Sequence, residues 1–150
     1  MDFLIRQAGI DDIPQMCSLL SELFSIEIDF KPDRERQARG LIILISDTSG
    51  SSIVLVAEND DKIIGMCSVQ TLVSTAEGGI VGLLEDLIVH RDYRGNAVGT
   101  KLLSGITKWC RTKNISRLQL LRDMDNIKAM DFYIDKGWMN TNLICMRKFL

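Results

Sequence analysis

The stretch VHRDYRGNAVGTKLL, residues 89–103, constrains what this chain can fold into more than any other. It closes a long apolar run, IVGLLEDLIVH, of the kind a buried strand shows, and passes at once into helical period. Within Ala97–Lys113, the residues Val98, Leu102, Ile106, Trp109 and Cys110 fall on one side. Lys101, Lys108 and Arg111 lie mostly off that stripe. A helix begun this way has about four backbone N–H groups without intrahelical partners, and its dipole places roughly half a positive charge at that end. Gly95, Ala97 and Gly99 keep side chains out of the way, Thr100 adds a hydroxyl, and Arg94 adds a cation. Such a turn suits an anion approaching the backbone closely, a diphosphate for instance. The plain alternative is a tight turn followed by a packing glycine. Two familiar phosphate loops do not match: Gly99 is followed by Thr-Lys rather than Lys-Thr, and Gly95-Asn96-Ala97 does not supply GxGxxG.

The remaining elements follow from period and punctuation. FLIRQA reads as a first strand, and Asp11 or Asp12 can cap a helix carrying Pro14 in its first turn. Ile13, Met16, Leu19, Leu20, Leu23 and Phe24 give that helix one apolar face. SIEIDFKPD breaks the pattern, and a second helix starts near Asp33. SSIVLVAEN and DKIIGMCSVQTLVS read as antiparallel strands joined at Asn59-Asp60-Asp61, and Glu77-Gly78-Gly79 turns the chain into the strand before the opening stretch. Gly105, mid-helix at a cost of roughly 1 kcal/mol relative to Ala, marks close packing. SRLQLL is a further strand, Asp125 or Asn126 caps a short helix that Gly137 stops, and WMNTNLICMRKFL reads as strand, turn and strand. The order is βααβββαβαββ, a mixed α/β sheet in one domain spanning residues 1–150.

Composition excludes several classes. A net charge of −2 argues against general nucleic-acid binding. Cys17, Cys67, Cys110 and Cys145 form no CxxC pair, and His90 is the single histidine, so no metal spacing is present. All four cysteines read as reduced packing residues of a cytoplasmic protein. MDFLIRQAGIDD lacks the pattern of a signal peptide, and no apolar run approaches the ~20 residues of a membrane span.

Two stretches together resemble the GNAT superfamily of N-acetyltransferases. Arg94-Gly95-Asn96-Ala97-Val98-Gly99, preceded by EDLIVHRDYRG, is similar to that family's Arg/Gln-x-x-Gly-x-Gly/Ala signature between fourth strand and third helix. DNIKAMDFYIDKGW is similar to its Asn-x-x-Ala-x-x-Phe-Tyr-x-x-x-Gly-aromatic helix, and the two stand in the family's order. Three positions depart from the pattern: Ala97 replaces a glycine, Trp138 the more usual Phe, and Arg91 a frequent Pro. The resemblance implies a mixed, mostly antiparallel sheet with a splay between strands 4 and 5, flanked by about four helices.

It also implies acetyl-CoA as the acyl donor. Backbone groups of Leu87, Ile88 and Val89 would hold the pantetheine arm like an added strand. Amides from Gly95 through Asn96, Ala97, Val98 and Gly99 to Thr100 would hold the diphosphate beside Arg94. Asn126 would contact the arm. Tyr133 is the expected proton donor to the leaving sulfur. Glu85 is the expected base, directly or through a water, or else a carboxylate that orients a cationic substrate. Strand alternation sets Asp86 on the opposite side of the sheet from Glu85. His90, at the turn end of the strand, reads as structural or solvent-exposed. Glu27 and Asp29 in the loop after the first helix join Glu85 as candidate substrate contacts. They point to a small cationic amine, and EDLIVHRDYRG resembles the diamine and polyamine branch. Peptide and protein amines, amino acids and aminoglycosides stay open as acceptors, as does a non-catalytic acyl-CoA-binding module, which Ala97 would favour. A nucleotide-binding α/β domain lacks a proper phosphate loop. Many family members form homodimers, though no interface is legible in the sequence.

Overall fold

The computed structural model describes all residues from Met1 to Leu150, which fall into two compact units, Met1–Leu120 and Leu121–Leu150. The first unit holds five strands in the order β1-β2-β3-β4-β5: β1 (Leu4–Gln7), β2 (Ser52–Asn59), β3 (Lys62–Ser74), β4 (Gly79–Val89) and β5 (Leu118–Leu120). The first four pair antiparallel in sequence, and β5 adds to β4 in parallel. That parallel step needs a crossover, which helix α3 (Val98–Thr112) supplies. Helices α1 (Ile13–Ile26) and α2 (Arg34–Ile45) connect β1 to β2.

The sheet is apolar on both faces. Val54, Val56, Ile63, Met66 and Ile88 pack with Ile13, Met16, Leu19, Leu20 and Leu41 of α1 and α2. Leu102 and Ile106 of α3 are fully buried, and a Cβ on Gly105 would stand 2.8 Å from Leu55 Cδ1, so the expected close packing of that glycine is met. Gly65 of β3 serves the same helix, since a Cβ there would lie 3.1 Å from Val98 Cγ1. Each fully buried Leu, Ile or Met contributes about 1.5–3 kcal/mol, so these stripes hold α3 on the sheet.

The start of α1 differs from the expectation. Asp12 makes no cap for α1; its carboxylate reaches back to the Gly9 N–H at 2.7 Å and takes a two-point contact from Arg6 at 2.7 and 2.8 Å. Arg6 also pairs with Glu58 and so ties β1, this turn and β2 together. The Arg6 guanidinium holds the Asp12 carboxyl below its ordinary range. Asp33 caps α2 as expected, accepting from Arg36 N at 3.0 Å.

The second unit contains α4 (Ile127–Asp135), capped by Asn126. Gly137, at φ 85°, ends it. The expected strand-turn-strand from Trp138 to Leu150 is not formed: those residues have no regular structure. Leu143, Ile144, Met146 and Phe149 are exposed, so the apolar pattern alone does not supply the ladder partner that a strand requires. Cys145 is also exposed, whereas Cys17, Cys67 and Cys110 are buried as expected. No helix is long and apolar enough to cross a membrane.

Candidate functional site

β4 is matched to β3 from Gly79 to Val89 but to β5 only at Gly82, Leu83 and Leu84. Beyond Leu84 the outer edge of β4 has no strand beside it. This is the expected splay between strands 4 and 5. His90 N–H bonds the Ile64 carbonyl of β3 at 2.9 Å, so by alternation Ile88 also turns its polar groups to β3 and Val89 turns its own to the open edge.

The β3–β4 register slips by one residue here. Met66 faces Ile88 and Ser68 faces Glu85, so Asp86 and Leu87 together oppose Cys67, as in a β-bulge. Asp86 takes the left-handed conformation, φ 55°, which Asp tolerates better than most residues. The bulge breaks the alternation that was expected to set Asp86 apart. Glu85 is exposed, while Asp86 is half-buried and desolvated. That desolvation, with the like charges of Glu85 and Glu27, pushes its carboxyl up to about 7. Asp86 therefore shares the electrostatic field of the loop after α1. Glu27 is half-buried and Asp29 exposed in that loop, where Phe30 packs against Phe24 at 5.3 Å between ring centroids. Sequence reasoning passed over Asp86 because nothing local announces a bulge; two adjacent carboxylates in an otherwise apolar strand were the one available signal.

After β4 the chain makes a short 3₁₀ turn, Arg91–Tyr93, and enters α3. His90 Nδ1 accepts from Asp92 N at 3.4 Å, and its ring packs edge-on against Tyr93, so it has the structural role expected. Ala97 is the N-cap of α3 at φ 61°, with no side-chain cap. The first intrahelical bond is Lys101 N to Ala97 O, 2.9 Å, which leaves the preceding amides without intrahelical acceptors. Gly95, at φ 80°, has nothing within 4 Å of where a Cβ would stand, and Gly95, Asn96 and Ala97 are all exposed. Asn96 folds its side-chain amide back onto the Tyr93 and Arg94 carbonyls. Arg94 is anchored by Nε to the Val89 carbonyl at 2.9 Å and by Nη2 to Glu22 of α1 at 2.6 Å. A bare helix start, an open glycine and a fixed guanidinium together fit an anionic diphosphate.

In the second unit, Asn126 Oδ1 accepts from Ala129 N at 3.1 Å, so its carbonyl oxygen serves as the helix cap. Tyr133 is half-buried between the rings of Phe132 and Trp138, with centroids at 5.4 and 5.5 Å.

The profile of the acetyltransferase (GNAT) family matches residues 13–138. An uncharacterized N-acetyltransferase of Archaeoglobus fulgidus is 27% identical over 132 residues, 86% of this chain and 88% of the relative. The aminoalkylphosphonate N-acetyltransferase of Salmonella typhimurium is 21% identical over 138 residues, 92% of this chain and 86% of that one. Among solved structures, glucosamine-6-phosphate N-acetyltransferase from Arabidopsis thaliana superposes with a TM-score of 0.78 at 22% identity, covering 99% of each chain.

Proposed function

This chain belongs to the GNAT acetyltransferase family, and we propose that it transfers the acetyl group of acetyl-CoA to a primary amine of a small cationic acceptor, that amine attacking the thioester directly. The observation that carries this reading is the open outer edge of β4 leading, within a few residues, into the bare start of α3. An extended pantetheine arm suits the first and a diphosphate the second. Leu87, Ile88 and Val89 would hold the arm, with Val89 best turned toward it. Arg94 and the backbone from Gly95 to Thr100 would hold the diphosphate, and Asn126 is a further proposed contact. We take residues 1–150 as one acetyltransferase domain.

Acetyl-CoA supplies an activated acyl group as a thioester. The residues must manage two protons. An amine with a solution pKa near 10 arrives as ammonium and must lose one before it can attack. Glu85, exposed, meets the cation first; Asp86, titrating near neutrality, is suited to accept the proton and release it to water. As the N–C bond forms and the C–S bond breaks, the second proton passes from the nitrogen to Asp86, which has released the first to water, and the sulfur gains one from Tyr133, whose hydroxyl is restored from solvent. A backbone N–H at the Asp86 bulge would polarise the thioester carbonyl. Glu27 and Asp29 add negative charge on the acceptor side, which favours a di- or polyamine.

Calorimetric titration with acetyl-CoA, run beside ATP and NAD, tests the reading first. Binding of acetyl-CoA alone supports it; binding of ATP or NAD in its place overturns it. Turnover on a panel of di- and polyamines then separates a catalyst from a module that only binds acyl-CoA. Tyr133→Phe is expected to slow turnover by about 10- to 100-fold with little change in acetyl-CoA affinity; equal rates remove Tyr133 as the donor.

A further inference from the structure

Glu22 lies on α1, about 70 residues from the turn whose arginine it touches. Its Oε1 stands 2.6 Å from Arg94 Nη2, while Arg94 Nε donates to the Val89 carbonyl at 2.9 Å. Anchors on two different elements fix both the position and the plane of the guanidinium. Glu22 also lines a cavity of about 280 Å³ with Gln15, Ser18, Leu19, Lys62 and His90. Lys62, the cation in that lining, stands over the Tyr93 ring at 5.0 Å, whereas Arg94 is the cation paired with Glu22. Arg94 is the more exposed partner, 46% against 25%, so Glu22 backs the guanidinium while solvent reaches it.

Resting on the reading of this turn as a diphosphate cradle, we propose that Glu22 is a positioning residue for acetyl-CoA, holding the Arg94 guanidinium in place before the diphosphate arrives. An arginine on an exposed turn otherwise has to surrender rotamer freedom when an anion binds, and that loss weakens binding. The tether removes this loss in advance but sets a carboxylate near an incoming anion. The two effects have opposite signs and can be separated. Gln at position 22 keeps an acceptor oxygen for Nη2 and drops the charge; Ala removes both.

Calorimetric titration of the full chain with coenzyme A, across Glu22→Ala, Glu22→Gln, Arg94→Ala and the Glu22→Ala/Arg94→Ala pair, tests the assignment. Glu22→Ala is expected to weaken binding about five- to tenfold, Glu22→Gln to hold it within about twofold or tighten it, and the pair to lose no more than Arg94→Ala alone. Unchanged affinity in Glu22→Ala, or the same loss with Arg94 already gone, overturns the positioning role and leaves the cradle standing. If the unaltered chain binds no coenzyme A, the acetyltransferase reading falls and this inference with it.

Discussion

The two edges of β4 are treated differently. Its inner edge is laddered to β3 along its whole length, with one bulge, whereas its outer edge meets β5 for three residues and is then left open. An open sheet edge invites unwanted pairing, and chains blunt or cover one that has no use. Here the open portion coincides with a left-handed Asp86, a carboxyl held near neutrality, and the route into an uncapped helix start. The closed edge stabilises; the open one is kept available.

The sharpest way to break this contrast is at the end of the open edge. Gly99→Asp, which sets a carboxylate where the diphosphate is proposed to sit, is expected to weaken acetyl-CoA binding by at least about 100-fold with the fold intact. Calorimetry with circular dichroism checks it, and unchanged affinity refutes the cradle. Next is Asp86→Asn, expected to lower turnover about 10²-fold and to remove the fall in kcat/KM below pH 7. The same substitution carries a stability signature. The folded chain keeps the Asp86 proton to about pH 7, while the unfolded chain loses it near pH 4. Stability therefore declines as pH rises between those values and stays level above them. Asp86→Asn should thus match the unaltered chain at pH 4 and exceed it by roughly 2–4 kcal/mol at pH 8. An equal or lower stability at pH 8, read from urea midpoints, would sink the assigned environment.

The stretch of β4 that is paired on both sides offers a control. A Cβ on Gly82 would lie 2.7 Å from Leu118 Cδ2 and 3.0 Å from Val69 Cγ1. Gly82→Val is expected to cost about 1–3 kcal/mol by overpacking where β4 meets β5. Coenzyme A affinity in the population that remains folded should hardly move; a loss of binding comparable to that of Gly99→Asp would erase the distinction between the paired stretch of β4 and its open end. The smallest effect belongs to Ala97→Gly. It relieves a left-handed alanine and is expected to raise the melting temperature by about 2–4 °C, since roughly 1 kcal/mol is at stake in a chain of this length.

Much of this was legible in order and period. The apolar stripe of α3, the Asp33 cap, the hairpin at Asp60-Asp61 and the tight seat of Gly105 all follow from local rules that the final packing respects. Asp12 was misread because its long-range partner, Arg6, competes for the carboxylate that local sequence assigns to the helix. The Trp138–Leu150 segment carries a strand-like composition without the ladder that would make it one. Glu85 is a candidate because it stands in a signature-like stretch. Asp86 was not legible, because its setting depends on a one-residue slip against Cys67 that side-chain chemistry does not encode. The Glu22–Arg94 pair was likewise invisible, joining α1 to a turn far along the chain.

The bulge has one further consequence, for which changes β4 can absorb. Asp86 and Leu87 share Cys67 as their single partner, one residue more than a regular ladder needs, while Glu85 and Ile88 on either side stay paired with Ser68 and Met66. A substitution at 86 or 87 leaves that register in place. Loss of one of the two would close the bulge, keep Ile88 opposite Met66, and remove the left-handed step at position 86. Chains descended from this one can therefore lose a residue here without losing the strand, but not without losing the setting of the Asp86 carboxylate.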